Sequence, residues 1–123
     1  MSESSKKRLL YVFTSAPYSN AIGQEGMDAV LMGAAFKQEI SVLFLHDGVF
    51  QLKRGQNSDD SALKQYTKTF AAFTDFEVTA VFANEQSLVA RGLSPEDCSI
   101  ELKVLTNAET TALLQQQDRV FTF

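Results

Sequence analysis

Five apolar runs punctuate the chain, and the stretches between them carry helical spacing. Residues 9–13 (LLYVF) are continuously apolar and bounded by Arg8 and by Thr14-Ser15, the pattern of a strand buried on both faces, as in a parallel sheet. Residues 40–45 (ISVLFL) repeat it and stop at His46-Asp47-Gly48, where Asp-Gly signals a turn. Residues 78–83 (VTAVFA) give a third such run. Residues 99–105 alternate instead, with Ile100, Leu102 and Val104 on one face and Ser99, Glu101 and Lys103 on the other. One wet face marks an edge strand. A short last strand is expected over 119–123.

Between these runs, Met27, Val30, Leu31 and Ala34 recur at helical spacing and predict a helix over 22–37. Ala29, Met32, Ala35 and Phe36 widen that face, so the helix is expected to be covered on more than one side. A second helix is expected over 60–73, capped by Ser58 or Asp59 and facing inward through Leu63, Tyr66, Phe70 and Phe73. Asn84 stands at a helix cap. The short helix it opens ends at Arg91 and Gly92, a cation in the last turn followed by a glycine stop. Thr106 and Glu109 match a capping box for a helix running to residue 117. Strands and helices therefore alternate throughout, which predicts an α/β domain with a mostly parallel sheet and helices on both faces. A length of 123 residues suits one domain, with 1–7 as a flexible N-terminal tail and 8–123 as the folded unit.

Phenylalanine occurs ten times. Phe13, Phe44, Phe82, Phe121 and Phe123 fall on expected strands and fit a core. Phe50 and Phe76 fall in loops, and with Leu52 they are candidates for a partner surface. A net charge of −4 argues against direct, non-specific binding to nucleic acid, which needs clustered Lys and Arg. The basic cluster Lys6-Lys7-Arg8 reads as a solvated flank. A single cysteine, Cys98, rules out an intramolecular disulfide and a cysteine-based zinc site. The opening MSESSKKR lacks signal-peptide features, and no run reaches the ~18 apolar residues that span a bilayer. A cytoplasmic protein without a membrane segment is expected.

In an open α/β sheet, ligands gather at the C-terminal ends of the strands, which directs attention to Ser15, His46 and Asn84. Gly23 and Gly26 follow the first strand at the wrong spacing for a dinucleotide fingerprint, with no P-loop lysine nearby. They read as close-packing positions. Glu25 and Asp28 would repel a phosphate there while favouring the helix dipole. His46 and Asp47, as neighbours at the end of an extended strand, would point to opposite faces, so Asp47 is poorly placed to orient His46 for a nucleophile at Ser15. No catalytic residue, metal ligand set or cofactor is assigned. Cys98 lies among Glu96, Asp97 and Glu101, surroundings that disfavour a thiolate, and it reads as a bystander.

Three stretches, SAPYSNAIGQEGMDAVLMGAAF, VLFLHDGVFQLKRGQ and SLVARGL, resemble in order and spacing the TusC/DsrF branch of the DsrE/DsrF/DsrH-like family. The DGVFQL element followed by Gly-Gln is the most specific of them. The likeness covers the chain from Leu9 to its end. It implies a three-layer α/β/α fold with a five-stranded, mostly parallel sheet. It also implies a non-catalytic subunit that joins TusB-like and TusD-like subunits in a heterohexamer, a dimer of trimers. Such a complex relays persulfide sulfur toward 2-thiolation of the wobble uridine of tRNA, so any link to tRNA is indirect. The resemblance places the carrier cysteine on the TusD-like partner, at the position that corresponds here to Asn84, which cannot form a persulfide. Two alternatives stay open: a subunit of a DsrEFH-type sulfur-oxidation complex, and a stand-alone α/β protein that binds a small anion or nucleotide.

Overall fold

The computed structural model describes residues 7–15, 22–35, 38–52, 78, 80–98 and 102–123. The helix expected over 60–73 and the candidate Phe76 lie outside the described residues. Strand β1 (Arg8–Phe13) leads to helix α1 (Ile22–Ala35), then β2 (Glu39–Phe44) and a 3₁₀ turn (His46–Leu52). Strand β3 (Ala80–Asn84) passes directly into the six-residue helix α2 (Glu85–Ala90), followed by a short 3₁₀ turn (Pro95–Asp97). Strand β4 (Lys103–Leu105), helix α3 (Asn107–Gln115) and β5 (Arg119–Thr122) complete the order.

All strand pairs are parallel, in the order β4-β3-β2-β1-β5. The chain steps one way from β1 to β4 and then returns across the sheet to β5. Parallel crossovers are right-handed, so that reversal must move the connecting helix to the opposite face. The packing follows this rule. Tyr11, Phe13, Val42, Phe44, Val81 and Ala83 point to one face and meet Val30 of α1 and Leu88 of α2. Leu10, Val12 and Leu43 point to the other and meet Leu113 and Leu114 of α3. The fold is the expected α/β sheet with helices on both faces, and its five strands are all parallel.

Aromatic rings tie the three strands β5, β1 and β2 along the α1 face. Tyr11 stacks on Phe121 at 5.2 Å between centroids, Phe13 on Phe123 at 5.6 Å and Phe13 on Phe44 at 5.3 Å. Such pairs add about 0.5–1.5 kcal/mol each to plain area burial. Burial raises the pKa of the Tyr11 phenol. Phe13 and Phe44 are fully buried, but Phe121 is 39% exposed, because β5 is an edge strand with no element beside it among the described residues. Phe121 is thus half surface rather than core. Met32 is 64% exposed, so no described residue covers α1 on that side. Leu52 is fully buried with Val49 in the α1-side core. Its apolar side chain is consumed by the fold, and it drops out as a partner-surface candidate. Phe50 is half-buried.

Two glycines set approach distances that no side chain would allow. A Cβ on Gly26 would sit 2.4 Å from the Phe13 ring and 2.8 Å from that of Phe123, so α1 lies directly on the β1/β5 aromatics. A Cβ on Gly48 would sit 1.8 Å from the Phe13 carbonyl oxygen. The 3₁₀ turn thus rests backbone to backbone on the end of β1, where the Leu45 N–H already donates to that same carbonyl at 3.0 Å. Gly92 is of another kind. Its φ of +70° closes α2, with the Gly92 N–H donating to Val89 and the Leu93 N–H to Leu88, and open space surrounds it.

These contrasts predict a graded response. Gly48→Ala should cost about 3 kcal/mol, because backbone must move to admit a methyl group. Gly92→Ala should cost about 1 kcal/mol, the left-handed conformation being its sole penalty. Urea unfolding of both variants beside the parent chain checks the order, and equal stabilities would overturn it.

Candidate functional site

The end of β3 is where the chain must satisfy several backbone ends at once. Asn84 is the last residue of β3 and the N-cap of α2. Its Oδ1 accepts from the Ser87 N–H at 2.9 Å and from Ser87 Oγ at 3.0 Å. Its Nδ2 donates to Asn107 Oδ1 and to Thr110 Oγ1, both at 3.0 Å, on α3. Ser87 Oγ also accepts the His46 N–H at 2.9 Å, which brings in the turn after β2. Thr110 passes its own hydrogen to the Thr106 carbonyl at 2.8 Å. Asn84, Ser87 and Thr110 are the buried polar residues among those described. Each is hydrogen-bonded, as burial of a polar group demands.

Above this network lies an open cleft of about 380 Å³, with Asn84, Ser87 and Thr110 as its floor. His46, Gln86, Arg91 and Asn107 form its rim, and Leu45 and Ala90 are apolar walls. Arg91 Nε pairs with Asp47 Oδ1 at 3.0 Å, and its Nη1 donates to the Ser87 carbonyl at 3.2 Å. The guanidinium is therefore held from two sides, one of them a buried helix residue. His46 takes a φ of +51°, a sparsely occupied conformation for a residue with a side chain.

The structure brings two of the three strand-tip candidates together and leaves the third apart. His46 and Asn84 meet through Ser87. Ser15 is half-buried beyond β1 and does not line the cleft. The expectation that His46 and Asp47 continue an extended strand fails, because the chain has already turned at His46. Asp47 still does not serve His46, since its carboxylate is taken by Arg91. Ser87, Asn107 and Thr110 escaped the sequence reading. The first is the N3 residue of the cap that Asn84 announces, so an Asn-x-x-Ser pattern could have found it. The other two come from α3, which only the β3–β4 pairing places beside Asn84.

The described residues at the end of the first strand are engaged within the chain. Gly26 is filled by aromatic contact, and the Thr14 N–H and Oγ both donate to the Phe123 carbonyl, at 2.7 and 2.9 Å. Cys98 is 3% exposed and packs in the α1-side core. Among the described residues, no group of three or more His, Cys, Asp or Glu could hold a metal ion, and no helix is long and apolar enough to cross a membrane.

A model of the DsrE/DsrF-like family matches residues 7–123. The chain belongs to the DsrE/DsrF-like family. It is 37% identical to a protein TusC homolog of Vibrio vulnificus, over 94% of this chain and 98% of that protein. It is 36% identical to the intracellular sulfur oxidation protein DsrF of Allochromatium vinosum, over 95% of this chain and 96% of that one. The crystal structure of the ychN protein from E. coli superposes with a TM-score of 0.78 at 18% identity, over 95% of this chain and 99% of that chain, and so shares the fold. The branch of the family suggested by the DGVFQL element is the one these relatives occupy.

Two predictions follow from the network. Asn84→Ala removes the α2 cap and the link to α3, and should cost about 2–3 kcal/mol in urea unfolding; a loss no larger than that of an exposed substitution would refute the central place given to this amide. The second concerns α3, where Glu109 Oε1 accepts the Thr106 N–H at 2.9 Å and Thr106 Oγ accepts the Glu109 N–H at 3.2 Å. That backbone bond lowers the Glu109 pKa. A carboxyl whose pKa is depressed by folding stabilises fully above its unfolded pKa and loses that contribution as pH falls through the folded one. Melting temperature should therefore fall less on acidification in Glu109→Gln than in the parent chain.

Proposed function

We propose that this chain is a non-catalytic, accessory subunit of a cytoplasmic sulfur-relay complex of the TusBCD type, which supports 2-thiolation of wobble uridine in tRNA. The observation that carries the proposal is the state of position 84. There the resemblance places a partner's carrier cysteine, and this chain holds an asparagine whose amide is committed to α2 and α3. A thiol could not make those bonds. The chain's single thiol, Cys98, is sealed in the core. A sulfur carrier needs a thiolate that is accessible and electrostatically favoured, so the reading assigns the sulfur chemistry to a TusD-like partner. The 37% identity to a TusC homolog supports the same assignment.

In this reading the chain works by presenting surface to TusB-like and TusD-like subunits in a heterohexamer. Phe50 and Phe76 remain interface candidates, and the exposed Met32, Val89, Val120 and Phe121 are further apolar area that assembly could bury. With a net charge of −4, contact with tRNA falls to other components. A DsrEFH-type sulfur-oxidation complex is the second reading, favoured by the 36% identity to a DsrF protein named for that process.

Co-expression with TusB-like and TusD-like proteins of the same organism, followed by native mass spectrometry, tests the subunit reading. The expected result is a hetero-oligomer containing all three chains that persists with Cys98→Ser. A monodisperse chain that ignores both partners would remove the proposal. Loss of 2-thiouridine from the tRNA of cells lacking the chain favours the first reading, and unchanged tRNA favours the second.

A further inference from the structure

We infer that the cleft between the tips of β2, β3 and β4 is a binding site for a small inorganic oxyanion. The inference does not depend on the subunit reading. The polar groups on the cleft are donors in excess. Arg91 uses Nε on Asp47 and one Nη1 hydrogen on the Ser87 carbonyl, and its remaining guanidinium hydrogens have no partner among the described residues. The His46 imidazole likewise makes no hydrogen bond among them. Gln86 and Asn107 add amide hydrogens, one of Asn107's being donated to Gln86 Oε1, while the Thr111 hydroxyl donates to the Asn107 carbonyl; no described residue lining the cleft is a carboxylate. In a chain of net charge −4, a concave surface lined by a guanidinium and by amide donors, with no acid in its lining, favours an anion over a cation. Asp47 touches Arg91 from outside the lining; it orients the guanidinium and lowers its net charge, which suits a weakly held ion rather than a tightly held one.

Size and lining select the class of ligand. At about 380 Å³ the cleft is near the lower end of ligand pockets. No Phe, Tyr or Trp lines it, so a base has nothing to stack on. Leu45 and Ala90 offer little apolar wall for an organic body. Donors from the β2 turn (His46), from α2 (Gln86 and Arg91) and from α3 (Asn107) line the one cleft, an arrangement suited to a compact ion with several equivalent oxygens. The buried Asn84–Ser87–Thr110 floor fixes these three elements relative to one another, so the donors are positioned before any ligand arrives.

His46 is the only histidine in the chain, so its imidazole carbon-bound protons are a built-in reporter. Phosphate, sulfate, thiosulfate and acetate are each titrated into the full chain, with chloride at matched ionic strength as the control. The His46 signals should shift saturably with one or more of the inorganic oxyanions, with half-saturation on the order of millimolar. Arg91→Gln should weaken that binding about tenfold. Because Arg91 also braces the end of α2, a second variant is needed. Asn107→Asp keeps the oxygen that accepts from Asn84, loses only the exposed bond to Gln86 Oε1, which a rotation of the Gln86 amide can replace with one donated to the new carboxylate, and places an acid in the first turn of α3, where it favours the helix, so it should fold and still repel the anion. A shift that chloride reproduces, that never saturates, that acetate alone produces, or that survives both variants overturns the inference. A chain that ignores the TusB-like and TusD-like proteins yet shows the saturable shift would remove the subunit reading and leave this site standing.

Discussion

A parallel sheet delivers every strand end, with its backbone groups, to the same side of the molecule, and something must join those ends. In this chain the joining group is the side-chain amide of Asn84. One oxygen holds the start of α2, and one nitrogen holds the start of α3. Through Ser87 the same amide reaches the turn that follows β2. Helix α2 has six residues, far too few to be stable by its own hydrogen bonds. It persists because Asn84 caps it, Leu88 buries against the sheet and Gly92 ends it cleanly. The tip of the sheet is therefore one mechanical unit, and the cleft above it inherits that rigidity.

The other end of the same argument is the aromatic seam between β1 and β5. The strand order reverses there, which in an open α/β sheet is the usual place for a ligand crevice. This chain fills the crevice with its own rings. Phe13 and Phe123 stack, Gly26 lets α1 descend onto both, and Thr14 closes the Phe123 carbonyl. The polar cleft lies on the opposite flank, over β2, β3 and β4, and a second, more apolar concavity lies beside β1 and α1, lined by Leu9, Tyr11, Ala29 and Met32.

Much of this was legible in the order of residues, for a physical reason. Strands 9–13 and 40–45 lie inside the sheet and need apolar residues on both faces, and α1 needs one apolar stripe, so burial writes a strong local pattern. Caps are equally local: Thr106 with Glu109, and Asn84 before its helix, satisfy donors within a few residues. Of the two glycines at 23 and 26, Gly26 is tied to packing by the Phe13 and Phe123 rings, which leave no room there for a side chain. What stayed hidden was relational. Leu52 looked like a loop residue, because nothing local shows that Gly48 lets the turn press onto Phe13 and carry Val49 and Leu52 into the core. Phe121 looked like core, because its exposure depends on β5 being an edge. The union of Ser87, Thr110 and Asn107 required the β3–β4 register, which no local pattern contains.

That relational character bears on what the tip of β3 can do. A strand tip that carries a reactive thiol must leave it exposed and unencumbered, which weakens the tip. In this chain the position is spent on structure, through the four hydrogen bonds of the Asn84 side chain. The gain is a tip stiff enough to hold Arg91 and His46 in fixed places while both keep free donors. Rigidity at position 84 and openness at the rim thus have one source, and the tip so built offers fixed shape and pre-placed hydrogen-bond donors to whatever binds there.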